Sequence, residues 1–344
     1  MQNPFFFRSD RIKQSRASRR MMLVSFLGML LSVGIFAQEF NPLPDQQMVE
    51  RLTSRPAKAK VVIDTDAWNE VDDQFAIVYA MLSKEKMDIQ AIYAAPFFNK
   101  RVKDAAEGMQ KSYEEIGIVL NKMNAGDTYP VYKGSAIFLK DKRLPVISDA
   151  ATDLVERAMK ATEPLYVLAL GAPTNIASAL LLKPEIREKI IVVWLGGKGL
   201  NWKTAKEFNL LQDVFSSQIL FDSGVPLIQI PTEPVSSHLI ATIPELKEAI
   251  GGSNRICDFL LSNVENFTAD PVGWSKVIWD ISVIAYMVNE DWLSCEIRPA
   301  PILTTELTYS DDGSRHLYKV ATQITRNKVF KDLYSKLRSF KDKE

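Results

Sequence analysis

Five acidic side chains lie within ten residues of the chain, in the segment VVIDTDAWNEVDDQFAIVYAM at residues 61–81. They are Asp64, Asp66, Glu70, Asp72 and Asp73. Asp64 and Asp66 end an apolar run typical of a strand, in which side chains two residues apart point to the same side. Asp72 and Asp73 precede an apolar stripe with helical spacing, so they are expected in the first turn of a helix.

This crowding of like charge favours a metal site. Capping explains Asp72 and Asp73, because acidic side chains interact well with a helix N-terminus. It does not explain Asp64 and Asp66, since neighbouring carboxylates repel one another unless a cation or shared protons neutralise them. All the available ligands are oxygens, which favours Ca²⁺ or Mg²⁺ over zinc. Capping combined with a solvated surface is the alternative interpretation.

The elements that must position these carboxylates alternate along the chain. Apolar runs typical of strands occupy residues 60–66, 87–96, 164–171, 189–197 and 225–231. Segments typical of helices occupy residues 72–83, 107–123, 148–161, 173–182 and 213–224. Unbroken apolar strands separated by helices predict an α/β fold with a mostly parallel central sheet flanked by helices.

Polar side chains follow the predicted strands, at the sheet edge where parallel sheets bind ligands. The candidates that come after the acidic segment are Asn99, Thr174, Asn175, Asn201, Glu207, Asn209 and Thr232. Amide, hydroxyl and carboxylate groups of this kind suit an oxygen-rich ligand.

The two ends of the chain depart from the alternating pattern. Residues 295–324 predict strands around a DDG turn, a small antiparallel C-terminal addition, before a closing basic helix near residues 328–340. We expect one catalytic domain at residues 58–340, preceded by a polar lead-in at residues 38–57. Residues 1–37 contain basic residues, a 16-residue apolar run and a closing Ala37, which predict a signal peptide.

The signal peptide predicts a periplasmic or secreted protein without a stable membrane anchor, since an anchor needs about 20 apolar residues. An uncleaved anchor is the alternative. Residues 1–37 hold six basic and one acidic residue, so their removal leaves 36 Lys and Arg against 41 Asp and Glu. This mildly acidic balance argues against nucleic acid as a partner. The two cysteines are too few to indicate a disulfide framework.

Four segments in a fixed order resemble the inosine-uridine preferring nucleoside hydrolases, across about residues 60–290. DTDAWNEVDD resembles that family's DxDxxxDD motif with two extra residues. ALGAPTNIA and the later WLGG resemble its GPLTNxA and MGG segments, with Ala172 and Leu195 as departures. NWKTAKEFN resembles its asparagine and EFN, and VIWDISV lies where the family often has a His-Asp pair.

The resemblance implies a fold with a Rossmann-like core and calcium-dependent hydrolysis of a ribonucleoside, a small-molecule partner, to base and ribose. The implied Ca²⁺ ligands are Asp66, Asp73, Asp280 and the backbone carbonyl of Thr174, with Mg²⁺ less favoured. Asp66 would also take a proton from the calcium-bound water.

The resemblance also implies a set of sugar contacts. These are Asp72 at the 2′-hydroxyl, Asn209 and Asp280 at the 3′-hydroxyl, and Asn201 and Glu207 at the 5′-hydroxyl. Asp64 would support the cluster from behind, and Asn99 would assist near the water.

Trp279 stands where many family members have a histidine thought to protonate the leaving base. One interpretation is that an indole stacked on a purine raises the basicity of that purine, so that solvent protonates it. Trp68 and Trp202 would help to form such a stacking surface. The other interpretation is that Trp279 packs in the core beside Asp280.

Two other functions remain open. A ribosyl-ligand binding protein would keep the scaffold after losing catalysis together with the histidine. Haloacid-dehalogenase-like phosphatases also use a DxD pair with Mg²⁺, but Asp72 and Asp73 have no role in them. The identity of the base, an N-ribosyl substrate other than a free nucleoside, and a homo-oligomer are likewise left open.

Overall fold

The computed structural model describes residues 42–342, which fall in one compact unit, Gln38–Glu344. The predicted signal peptide at residues 1–37 lies outside the described residues. Among the described residues, no helix combines the length and apolar character needed to cross a bilayer.

The main sheet contains eight strands within residues 42–342. They are β1 (Ala59–Thr65), β2 (Met87–Ala94), β3 (Val131–Lys133), β4 (Leu165–Ala169), β5 (Ile190–Leu195), β6 (Leu227–Ile230), β9 (Leu293–Pro299) and β12 (Leu317–Ile324). Their spatial order is β3-β2-β1-β4-β5-β6-β12-β9. Every pair is parallel except β12 with β9. The predicted mostly parallel α/β sheet is therefore confirmed.

The C-terminal strands extend this sheet. β12 runs parallel to β6, with Lys319 opposite Ile228, and β9 pairs with β12 in the antiparallel sense. Two short antiparallel pairs are added, β7 (Ile240–Ala241) with β8 (Lys276–Val277) and β10 (Ile302–Leu303) with β11 (Tyr309–Ser310). The predicted antiparallel addition is thus present, and part of it is built into the main sheet.

Helices cover both faces of the sheet. They are α1 (Asp45–Thr53), α2 (Asp72–Met81), α3 (Ala105–Lys122), α4 (Asp149–Lys160), α5 (Thr174–Leu182), α6 (Phe208–Gln212), α7 (Val214–Asp222), α8 (Ile243–Ile250), α9 (Arg255–Glu265), α10 (Ile281–Val288) and α11 (Arg326–Ser339). Along β1, Val61 and Ile63 pack in the core that contains Phe75 of α2, whereas Val62 packs in the core that contains Ile176 of α5. This alternation buries the strand on both sides, which explains its unbroken apolar run.

The described part of the predicted lead-in is folded. Helix α1 buries Met48 and Leu52 against the core on the α2 side. The Nζ atom of Lys319 in β12 donates to the carbonyl of Leu52 at 3.1 Å. Helix α1 therefore packs as an element of the same unit.

Candidate active site

A cavity of about 300 Å³ opens at the carboxyl ends of the central strands. Its lining includes Asp66, Asp72, Asp73, Glu207, Asn209, Trp279 and Asp280. These residues come from the loop after β1, the start of α2, the start of α6 and the segment before α10. The structure therefore brings together seven of the residues that were predicted to form a site, at the edge where parallel sheets bind ligands.

The tightest group in this cavity consists of Asp72, Asp73 and Asp280. Carboxylate oxygens of the three residues all lie within 4.8 Å of one another, and each residue is buried. The hydroxyl of Thr65, the last residue of β1, donates to Oδ1 of Asp73. The end of β1 thus positions the first turn of α2 against the segment that precedes α10.

Burial and mutual repulsion shift the pKa values of the acidic residues. Burial and then the charge of Asp72 raise the pKa of Asp73 to about 8. The pKa values of Asp66 and Asp280 are also raised, by burial first and by the neighbouring carboxylates second. Oδ2 of Asp66 is buried without a hydrogen-bond partner among the described residues. This all-oxygen donor set fits a hard divalent cation, which would neutralise the repulsion.

A buried lysine that the sequence analysis missed lies beside Asp72. Nζ of Lys276 is 2.5 Å from Oε2 of Glu70 and 3.4 Å from Oδ1 of Asp72. The backbone N–H of Trp279 donates to the other oxygen of Asp72, at 3.1 Å. Burial opposes the charged ammonium, but Asp72 and Glu70 outweigh this effect and raise the pKa of Lys276. The only signal in the sequence was a lysine in the mostly apolar run before Asp280.

Asp64 lies behind the cavity. It is fully buried, and its Oδ1 accepts a hydrogen bond from Nδ2 of Asn175 at 2.8 Å. Burial raises the pKa of Asp64 to about 7, against the opposing effect of that hydrogen bond. The contact joins the end of β1 to the first turn of α5, so Asp64 occupies a supporting position.

Glu207 and Asn209 shape the part of the cavity next to α6. The Glu207 carboxylate accepts hydrogen bonds from the backbone N–H groups of Gly197, Asn209 and Leu210, at 2.8 to 3.1 Å. Burial raises the pKa of Glu207 to about 7, although these donors oppose the shift. Nδ2 of Asn209 donates to the carbonyls of Leu170 and Leu195, which leaves its Oδ1 available to a ligand.

Besides Asp64, three residues predicted to contact the metal or the substrate are not among those that line this cavity. The hydroxyl of Thr174 donates to Oδ2 of Asp213 at 2.8 Å, so its side chain points into the packing between α5 and α7. Asn99 donates to Oδ1 of Asn69 at 2.9 Å. Asn201 is exposed and lines a separate cavity of about 160 Å³.

The three tryptophans considered for base stacking occupy different places. Trp279 is half-buried, lines the main cavity and also packs against the core. The ring of Trp68 faces Arg101 and Lys111, whose charged groups lie 4.5 and 4.3 Å from its centroid, and it lines a different cavity. Trp202 lines the smaller cavity with Asn201. Of the three, Trp279 is the one placed to meet a ligand of the acidic cluster.

Comparison with known proteins gives a family match over most of the chain. A family model described as inosine-uridine preferring nucleoside hydrolase matches residues 61–331. The pyrimidine-specific ribonucleoside hydrolase RihA of Escherichia coli (strain SMS-3-5 / SECEC) is 28% identical over 193 residues, which cover 49% of this chain and 58% of that relative. The match thus spans little more than half of that relative's length.

Two solved structures have a similar fold. A plant nucleoside hydrolase, the PpNRh1 enzyme, has a TM-score of 0.66 at 19% identity, covering 83% of this chain and 100% of its own. A purine-preferring ribonucleoside hydrolase from Gardnerella vaginalis has a TM-score of 0.64 at 18% identity, covering 82% and 98%. Because the family model extends from β1 into α11, the chain belongs to the inosine-uridine preferring nucleoside hydrolase family.

Proposed function

We propose that this protein hydrolyses the N-glycosidic bond of ribonucleosides to free base and ribose, with Ca²⁺ favoured over Mg²⁺ as its cation. The observation that carries the proposal is the convergence of Asp66, Asp72, Asp73 and Asp280 with Asn209 in one cavity. Membership of the nucleoside hydrolase family supports this reaction over the phosphatase that Asp64 and Asp66 alone left open.

Asp66, Asp73 and Asp280 would hold the cation, together with the backbone carbonyl of Thr174. The unpartnered oxygen of Asp66 and the short distances between the carboxylates of Asp73 and Asp280 support this set. When bound, the ion supplies Lewis-acid activation of water at neutral pH. Ca²⁺ suits a site built from carboxylate and carbonyl oxygens.

Asp66 accepts the proton of the attacking water at a carboxylate oxygen. A carboxylate in its ionised form, placed in the cavity with the sugar contacts, is the general base that this step needs. N-glycosidic cleavage develops positive charge on the ribose ring, and the carboxylates around the cavity stabilise that charge. Water attack and charge stabilisation are thus assigned to one cluster.

The remaining residues bind and orient the sugar. Asp72, held by Lys276 and by the N–H of Trp279, accepts from the 2′-hydroxyl. Asn209 and Asp280 contact the 3′-hydroxyl, and Glu207 contacts the 5′-hydroxyl. Asn201 and Asn99 would join the substrate only if the loops that carry them move towards the cavity.

Trp279 contacts the leaving base in this scheme. It lines the cavity beside Asp280, in the position of the histidine of many family members. Stacking on the base would raise the basicity of the base, so that solvent protonates it. The relatives carry names that indicate pyrimidine and purine preferences, so their names assign no base to this chain.

Product release from a nucleoside panel tests the proposal. The purified protein is treated with a chelator, reloaded with Ca²⁺ or Mg²⁺, and incubated with inosine, adenosine, guanosine, uridine and cytidine. We expect free base and ribose with Ca²⁺, and loss of both on chelation or in Asp66→Asn. Asp127→Asn, the same change at an exposed loop residue, is the matched control. Calorimetric binding without product would instead support the ribosyl-ligand binding protein.

We also propose that the protein is periplasmic or secreted. The basic and apolar pattern of residues 1–37 supports this location. Fractionation of cells that express the full chain, with N-terminal sequencing of the product, tests it. Recovery of an uncleaved chain in the membrane fraction would contradict it.

A further inference from the structure

We propose that Glu70 selects the leaving base by accepting a hydrogen bond from an N–H group of that base. The inference rests on the ribonucleoside hydrolysis proposed above and assigns the base-facing end of the same cavity. Lys276 and Asn69 contribute to it, as a positioning residue and as a second base contact. The substrate class is a ribosylated heterocycle with an N–H donor on the edge that faces the loop after β1.

The position of the sugar decides which residues face the base. With Asp72 at the 2′-hydroxyl and Glu207 at the 5′-hydroxyl, C1′ lies at the Asp72 end of the ring, because C1′ is bonded to C2′ and distant from C5′. The base leaves from C1′. It therefore extends past Asp72, where Asn69, Glu70 and Trp279 line the same cavity.

Glu70 is held in a fixed orientation at this end. One of its oxygens, Oε2, lies 2.5 Å from Nζ of Lys276, which is itself buried. The Glu70 side chain keeps 39% of its exposed area and lines both this cavity and the neighbouring one that contains Trp68, while the lysine anchors it. The other oxygen, Oε1, has no hydrogen-bond partner among the described residues and is available to accept an N–H. An anchored carboxylate of this kind is a preorganised acceptor.

The neighbouring residue supplies a donor whose direction follows from a chain of hydrogen bonds. The backbone N–H of Arg101 donates to Oδ1 of Asn99 at 2.8 Å, which fixes the Asn99 amide with Nδ2 as the donor. That Nδ2 donates to Oδ1 of Asn69 at 2.9 Å. Nδ2 of Asn69 is left without a partner among the described residues, so the loop presents a donor beside the Glu70 acceptor.

The loop that carries Asn69 and Glu70 is held in place. The guanidinium of Arg101 donates to the carbonyls of Trp68 and Asn69, the first at 3.1 Å, and lies over the ring of Trp68. The backbone N–H of Asn69 donates to the carbonyl of Asp66 at 2.7 Å. These contacts hold the lengthened loop of the acidic motif so that Asn69 presents a donor and Glu70 presents an acceptor at the base end of the cavity.

The consequence is discrimination among leaving groups. A base that presents an N–H donates to Oε1 of Glu70, whereas a leaving group with only acceptors offers that oxygen no hydrogen bond and places its own acceptors against a carboxylate. The kcat/KM for hydrolysis of a nucleoside should therefore depend on Glu70 more strongly than the kcat/KM for a riboside whose leaving group lacks N–H donors. 4-Nitrophenyl β-D-ribofuranoside is such a probe, because it shares the sugar and carries only a nitro group and a ring.

The experiment compares kcat/KM for the nucleoside that the wild type cleaves fastest with that for the nitrophenyl riboside, with the protein loaded with Ca²⁺. In Glu70→Ala we expect a loss of about 10- to 100-fold for the nucleoside, the range for a hydrogen bond to a charged group. We expect a change of less than about twofold for the nitrophenyl riboside. Glu70→Gln should retain more nucleoside activity than Glu70→Ala, because the amide oxygen still accepts.

Glu233→Ala is the matched control, since Glu233 lines the same cavity and takes the same truncation. Glu233→Ala should leave the ratio of the two kcat/KM values, nucleoside to nitrophenyl riboside, unchanged. Equal losses for both substrates in Glu70→Ala would overturn the inference and assign Glu70 to the sugar, and no loss for either would overturn it as well. If the wild type cleaves neither substrate, the proposed hydrolysis fails, and the inference fails with it.

Discussion

Lys276 lies with its Nζ 3.4 Å from Oδ1 of Asp72, although 204 positions separate the two residues in the chain. The backbone N–H of Trp279 occupies the second oxygen of Asp72 at 3.1 Å. The segment that leads to Asp280 is thereby docked on the first turn of α2. These two contacts fix Asp72 and bring Asp280 to the same cluster.

Replacement of Lys276 by methionine should destabilise the protein and reduce its activity. Breaking a buried ion pair from one side leaves an uncompensated charge, which costs about 3 to 5 kcal/mol. Denaturant unfolding at neutral pH measures this change. Lys198→Met is the matched control, because the Lys198–Glu233 pair, at 3.5 Å, is more exposed than the Lys276–Asp72 pair. We expect it to cost less than about 1 kcal/mol, and equal losses in the two variants would contradict the prediction.

Gly171→Ala should reduce activity through Asp66. A Cβ atom at position 171 would lie 2.9 Å from Oδ1 of Asp66, closer than real contacts of this kind allow. Asp66 would have to move, and a displacement of about 1 Å in a reacting group can cost roughly 100-fold in rate. Steady-state kinetics would show the loss in kcat. Gly117→Ala, on α3 where nothing lies within 4 Å of the added carbon, is the control. Wild-type kcat in Gly171→Ala would refute the argument.

The sequence predicted the central sheet well because its strands are buried on both faces. β1, β4, β5 and β6 appear as mostly apolar runs, and β2 does so after its half-exposed Asp88 and Gln90; each was predicted close to its observed bounds. β3 was missed because its three residues are half-exposed or exposed and form no such run. Helix α1 was assigned to a lead-in because its segment is polar and flanked by prolines, and only tertiary packing shows that Met48 and Leu52 are buried.

The residues of the candidate site also fall into those that the sequence predicted and those that it did not. The acidic motif marked Asp66, Asp72 and Asp73 because several like charges in one segment require an explanation. Lys276 has no cluster of charges around it in the sequence. A lone lysine is usually solvated, and the partners of Lys276 lie in a distant segment. Asn201 was predicted by motif order, but the position of its side chain depends on the path of the loop after β5, which spacing cannot define.

Calcium should protect the protein more at pH 8 than at pH 5. The pKa of Asp73 is raised to about 8 from its ordinary 3.8, first by burial and then by Asp72. Without a cation, the contribution of Asp73 to stability is therefore greatest at acidic pH and falls as the pH rises from about 4 towards 8, because Asp73 ionises first in the unfolded chain. Calcium binds the ionised form and offsets this fall, by about 2.7 kcal/mol at a concentration 100-fold above Kd.

Thermal unfolding with Ca²⁺ or with a chelator, at pH 5 and at pH 8, measures this difference. The increase in Tm on adding calcium should be larger at the higher pH. Asp73→Asn should flatten the pH dependence of the chelated protein and weaken the calcium effect. A calcium effect of the same size at both pH values would rule out these carboxylates as its source.

Glu207→Gln should lower both stability and activity, and 5′-deoxynucleosides separate the two causes. The carboxylate caps α6 and also accepts from Gly197, so its loss should cost about 1 kcal/mol in unfolding free energy. If Glu207 also contacts the 5′-hydroxyl, the variant should lose about 10-fold more on inosine than on 5′-deoxyinosine, since only inosine offers that hydrogen bond. Asp213→Asn, which weakens the cap of α7 in the same way, should reduce stability and treat the two substrates alike. Equal losses on both substrates in Glu207→Gln would reduce its role to holding Asn209 in place.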